Sequence, residues 1–160
     1  MNITNNETIS SLESYKILTI APELRKRDIE EIIKHCENPN RIEIIVQGSI
    51  ELMKTRYPLL YKSELKKNYE NFLIDSKNNQ FPIHKSLSGE ELIIFSDSEL
   101  SLIDELNYLN SIGFCNFAID GRYKDDGYYK MIDIYNAALK GNINKKELLE
   151  ISPKNTTANY

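Results

Sequence analysis

Polar residues follow four short apolar runs in this chain: Glu23 after Lys16–Ile20, Gln47-Gly48 after Ile42–Val46, Ser96-Asp97 after Leu92–Phe95, and Asp120-Gly121-Arg122 after Phe114–Ile119. In a parallel α/β sheet such positions fall at the carboxyl ends of strands, where ligands bind. Asp120 and Arg122 have the clearest chemistry. A carboxylate and a guanidinium two residues apart can face one cleft, the first as general acid or base, the second as a clamp on a carboxylate or phosphate. The same two groups can instead close the strand end as an ion pair. Glu23 is a second acid/base candidate, or a solvated turn residue. Gln47 and Gly48 are candidate substrate-binding residues, and Gln47 can equally satisfy loop backbone groups. Ser96 is a candidate contact, or with Glu99 three residues on it forms a capping box. Tyr123, Tyr128 and Tyr129 can stack on a substrate, although Tyr128 also falls on a helical apolar stripe.

The remaining reactive residue types point elsewhere. His35 and His84 lack a neighbouring second ligand or nucleophile and read as structural or solvated. Cys36 and Cys115 fall on apolar segments and read as core residues. Two thiols cannot supply a four-ligand structural zinc site or an iron–sulfur cluster, so no metal and no cofactor is expected. P-loop, G-x-G-x-x-G, G-x-S-x-G and H-E-x-x-H motifs are all missing.

The elements that must position these residues follow from periodicity. Residues 1–14 are polar, contain no Lys or Arg, and read as a flexible arm rather than a signal peptide. Lys16–Ile20 and Ile42–Val46 read as buried strands, and Ile29, Ile32, Ile33 and Cys36 make one stripe of the helix between them. Short helical pieces are expected at Glu51–Met53 and Ser63–Tyr69. Asn71–Asp75 and Phe81–Lys85, flanking S-K-N-N-Q, read as a hairpin. Leu92–Phe95 is a further strand, and a helix capped by Ser96 carries Ile103, Leu106 and Leu109 to a stop at Gly113. Phe114–Ile119 is the last main strand. Tyr128, Met131, Ile132, Tyr135 and Leu139 mark the next helix, and Asn144 with Glu147 caps a short final one.

This alternation predicts an α/β fold with four parallel strands, outer helices and a β-hairpin insertion. Four strands are about half of a (β/α)8 barrel. The chain has 160 residues, enough for one domain with its own core. Its net charge of −4 argues against a nucleic-acid partner. Its apolar runs are far shorter than the roughly 20 residues that span a bilayer, so no membrane association is expected and the cytoplasm is the expected compartment.

Five segments, in order, resemble a known family. They are A-P-E-L (Ala21–Leu24), V-Q-G-S-I-E-L-M-K-T-R-Y (Val46–Tyr57), F-L-I-D-S-K-N-N-Q-F-P-I (Phe72–Ile83), F-S-D-S-E-L-S-L (Phe95–Leu102) and F-A-I-D-G-R-Y…Y-Y-K-M-I-D-I-Y-N-A-A-L (Phe117–Leu139). The family is that of the collagenase-like peptidases of unknown catalytic type, peptidase family U-32. The resemblance implies that residues 15–160 are a half-barrel, the second half of a TIM-barrel-like domain. It also implies peptidase activity on a peptide substrate. The cleft would use Glu23, Asp120 and Arg122, with Gln47, Gly48, Arg56, Ser96 and Tyr123 contacting substrate. Several family members instead take part in hydroxylating RNA bases or a quinone precursor with a four-cysteine iron–sulfur cluster. The matching stretch here, between Gly48 and Phe72, has no cysteine. A non-catalytic alternative follows: a truncated or degenerate paralogue that completes a barrel with another chain, or self-associates through open sheet edges. Ile44, Val46, Ile93, Phe95, Phe117 and Ile119 would then include the uncovered face.

Overall fold

The computed structural model describes residues 3–57, 71–86 and 88–157. Its elements are α1 (Asn6–Ser11), β1 (Leu18–Thr19), α2 (Lys26–His35), β2 (Ile42–Thr55), β3 (Asn71–Ile74), β4 (Gln80–Lys85), β5 (Leu92–Ser101), α3 (Leu106–Ser111), β6 (Asn116–Asp120), α4 (Lys130–Leu139), α5 (Lys145–Ile151) and β7 (Asn155–Thr156). The strands hydrogen-bond in the order β1-β2-β5-β4-β3, with β6 also on β2 and β7 on β5, an open mixed sheet. Two compact units divide the chain: Met1–Gly48 with Leu100–Tyr160, and Ser49–Glu99. Among the described residues no helix is long and apolar enough to cross a membrane.

The first unit is a parallel βαβ arrangement with an added parallel strand. β1 pairs with β2 from Leu18↔Ile42, and β6 pairs with β2 from Glu43↔Asn116 to Gly48↔Asp120. Ile42, Val46, Leu109, Phe114 and Met131 are completely buried in this unit. Each such side chain contributes about 1.5–3 kcal/mol by leaving water. The α2 stripe of Ile29, Ile32 and Ile33 is buried as its spacing predicts. A polar network ties α2 to α3. Lys26 Nζ lies 3.2 Å from Glu105 Oε2 and 4.1 Å from the Tyr108 ring centroid, and the Tyr108 hydroxyl donates to Glu30 Oε1 at 2.6 Å.

The second unit is antiparallel where its pairing is described. β3 pairs with β4 from Asn71↔Ile83 to Ile74↔Gln80, and β4 with β5 from Ile83↔Ile94 to Lys85↔Leu92. Its core holds Ile83, Leu92 and Ile94 with Phe81 packed against them. The hairpin turn is built on Asp75, whose Oδ1 accepts from the backbone N–H of Lys77 and Asn79 at 2.8 and 2.9 Å. Asn78 takes the left-handed conformation, φ +63°, that such turns require.

Several expectations are corrected. The α/β class with a hairpin holds, but only β1, β2 and β6 are described as mutually parallel, and Leu92–Phe95 opens a ten-residue strand that pairs antiparallel with β4 of the hairpin. Ser96 and Asp97 lie inside that strand and cap no helix, because sheet pairing satisfies the backbone that a capping box would otherwise engage. β2 does not stop at Gln47-Gly48 but runs on to Thr55, so Glu51–Met53 is strand. The register shift between Ile45 and Gln47 lets it pass Gly48, which sits at φ +147°. The expected helix at Ser63–Tyr69 lies outside the described residues.

The amino-terminal segment has regular structure from Ile3 onward. Asn5 caps α1 by accepting from Thr8 N at 2.9 Å, Ile3 bridges Ile20, and Ile3 and Ile9 are buried. Ile44, Val46, Ile93 and Phe95 are buried, so they form no uncovered face, while Phe117 and Ile119 are half-buried. Cys36 is half-buried and Cys115 is exposed, so Cys115 is no core residue. On α4 the buried stripe is Met131, Ile134, Tyr135 and Ala138, and Ile132 and Leu139 lie off it.

Candidate functional site

The carboxyl end of β6 gathers Gly48, Asp120 and Arg122. Gly48 is paired with Asp120, and a Cβ on Gly48 would come within 2.6 Å of Asp120 Cβ. Only glycine allows that approach at that backbone angle. Asp120 is held by its neighbour two residues on. Its Oδ1 accepts from Arg122 N and Nε at 3.1 and 2.9 Å, and its Oδ2 from Nε and Nη2 at 3.0 and 2.6 Å. The Asp120 side chain is 12% exposed and the Arg122 side chain 50%. The ion-pair reading of this couple is therefore the one the geometry realises.

Tyr123 follows at φ +60°, unusual for a residue with a side chain, and Lys124 N closes the turn on Gly121 O at 3.2 Å. Asp125 then accepts from Gly127 N at 2.9 Å and starts the 3-10 turn Asp126–Tyr129 that leads into α4.

Behind this turn lies a cleft of about 230 Å3 lined by Ile119, Gly121, Lys124, Asp125, Asp126, Tyr128, Tyr129 and Ile132. Residues 119 and 121 line it, whereas Asp120 and Arg122 do not, in keeping with alternation along a strand. Lys124 Nζ stands 5.3 Å from the centroid of the Tyr128 ring.

The other predicted residues are placed as follows. Gln47 is completely buried, and its Oε1 faces the Tyr135 hydroxyl at 2.9 Å. That hydroxyl also lies 2.9 Å from Val46 O and 3.1 Å from Ser101 Oγ, so Gln47 belongs to a buried polar network. Glu23 is exposed in the loop between β1 and α2. In the second unit, exposed Arg56 pairs with Glu91 at 3.3 Å. Ser96, half-buried on β5, accepts from Ser98 N at 3.4 Å. The fold thus brings Gly48, Asp120 and Arg122 together. Lys124, Asp125 and Asp126 were not singled out by sequence reasoning, and Ile132 was read only as part of a helix stripe. Their signal was the run K-D-D-G-Y-Y, in which an Asp precedes a helix and two tyrosines follow it.

Strand–helix–strand units with a cleft at a strand's carboxyl end define a mixed α/β protein. The family model of peptidase family U32 matches residues 1–158, and the chain belongs to that family. No curated protein matches the chain. No solved structure matches it either.

An iron–sulfur cluster of the kind the resemblance raised needs four thiolate ligands. The chain's two thiols are Cys36, just after α2, and Cys115, just before β6. Cys115 donates to Asn40 Oδ1 at 3.3 Å. Two thiols do not fit a cluster that needs four ligands.

Proposed function

We propose that this member of family U32 handles polypeptide, binding an extended segment at the carboxyl end of its parallel strands with one side chain in the cleft behind β6. The observation that carries this reading is the cleft itself, about 230 Å3, built from residues that directly follow a parallel strand. Its mixture of tyrosine, isoleucine and charged residues suits a side chain presented from a peptide backbone. Asp120 is held by Arg122, and Glu23, exposed in the loop after β1, is the carboxylate assigned here as general acid or base. Labelled peptide pools and gelatin, offered to the full chain, test this. Glu23→Gln is expected to abolish cleavage while leaving peptide affinity within about twofold. Failure of the wild type to bind any peptide overturns the reading.

A second reading is a non-catalytic subunit that completes its sheet with another chain. It is favoured by β6, which among the described residues pairs with β2 alone and keeps Phe117 and Ile119 half-buried. An edge of this kind is a template for a partner strand. Peptide binding without any cleavage by the wild type favours this reading.

A further inference from the structure

We propose that the cleft behind β6 selects a cationic side chain, lysine-like or arginine-like, from the polypeptide it binds; this rests on the polypeptide reading above. An ammonium group already lies over an aromatic face there, since Lys124 Nζ is 5.3 Å from the Tyr128 ring centroid. A ring face attracts a cation through its quadrupole, within about 6 Å of the centroid. The charges of the lining are two carboxylates, Asp125 and Asp126, against the single ammonium of Lys124, so the cleft is acidic by one charge.

The remaining walls suit the stem of such a side chain. Ile119, Ile132 and Tyr129 are apolar surfaces against which methylenes pack while the charged head stays at the polar rim. Tyr129 is 70% exposed and Ile132 48%, so both meet a ligand without opening the core. An acidic side chain would face Asp125 and Asp126 with like charge. A purely apolar one would take water from both carboxylates and return nothing. Lys124 therefore acts as an internal competitor, covering the Tyr128 ring until the incoming cation displaces it.

The test uses the full chain and three labelled peptides identical except for one central residue, arginine, norleucine or glutamate, with agmatine as a free guanidinium probe. The arginine peptide is expected to bind about tenfold more tightly than the norleucine peptide, and the glutamate peptide more weakly than both. Asp126→Asn should remove most of that preference. Lys124→Met should tighten the arginine peptide severalfold, because a repelling charge and a competitor leave together. Tyr129→Ala, at an exposed position, should weaken it. Equal affinity for arginine and norleucine overturns the cationic inference and leaves the polypeptide reading standing. Agmatine binding in the absence of any peptide binding overturns the polypeptide reading and supports the cation site. Weaker arginine-peptide binding by Lys124→Met overturns the proposed displacement.

Discussion

The Asp120–Arg122 pair shows how one local geometry decides between two chemistries. Four hydrogen bonds run from Arg122 to the Asp120 carboxylate, which makes the pair a support for the strand end. Half-exposed ion pairs contribute little, so Arg122→Ala is expected to cost about 1 kcal/mol, a Tm decrease of roughly 2–4 °C by calorimetry. Gly48→Ala should cost more, about 3 kcal/mol, since the new Cβ would meet Asp120 Cβ at 2.6 Å with φ at +147°. Two other groups have shifted acidities. Hydrogen bonds from Asn79, first from its backbone N–H and then its side chain, hold Asp75 below its ordinary 3.8. Its contribution to stability is therefore full above that value and lost as pH falls through the lowered value. Replacing Asp75 by Asn should flatten the acid limb of the stability profile, measured by urea unfolding. The hydrogen bond to Glu30 raises Tyr108 above its ordinary 10.0. The folded state then holds its proton longer than the unfolded chain, so stability is full below 10.0 and lost as pH rises through the raised value. Tyr108→Phe should remove that alkaline loss.

At the scale of elements, the irregularity in β2 is the feature on which the site depends. The strand shifts register between Ile45 and Gln47, and Val46 O turns to accept from Leu102 N at 2.8 Å, with the Tyr135 hydroxyl 2.9 Å away. That shift places Gly48 beside Asp120. Tyr135 is buried on α4 and also meets Gln47, so Tyr135→Phe removes the hydroxyl that Val46 O and Gln47 Oε1 share as a donor. A loss of about 1–3 kcal/mol in chemical denaturation is expected, with the far-ultraviolet spectrum unchanged. The final helix is simpler. Asn144 accepts from Glu147 N at 3.3 Å and donates to Glu147 Oε2 at 3.0 Å. A local cap of this kind is readable from residue spacing because both partners lie within one turn.

At the scale of the whole molecule, the family membership and the parallel unit support a polypeptide-handling role, while β6 carries the question of partners. If β6 receives a strand from another chain, sedimentation equilibrium at micromolar concentration should show association. Phe117→Lys, at a half-buried edge position, should then reduce it. A wild type that remains monomeric overturns self-association through β6. What the residues alone determined was local: the α2 stripe, the hairpin around Asn78, the caps of the last helix, and the five ordered motifs that mark the family. These depend on contacts a few residues apart or on residue identity itself. The tertiary structure decided the rest. Ser96-x-x-Glu99 has the spacing of a cap, but pairing along β5 claims its backbone. Gln47 stands at a predicted strand end, but the strand passes through a bulge and buries it. Asp120 and Arg122 were legible as a pair, yet which of their neighbours faced the cleft depended on the alternation of β6 and on the turn at Tyr123. The first two outcomes were set by partners that lie far away in the chain, and residue spacing carries no record of them.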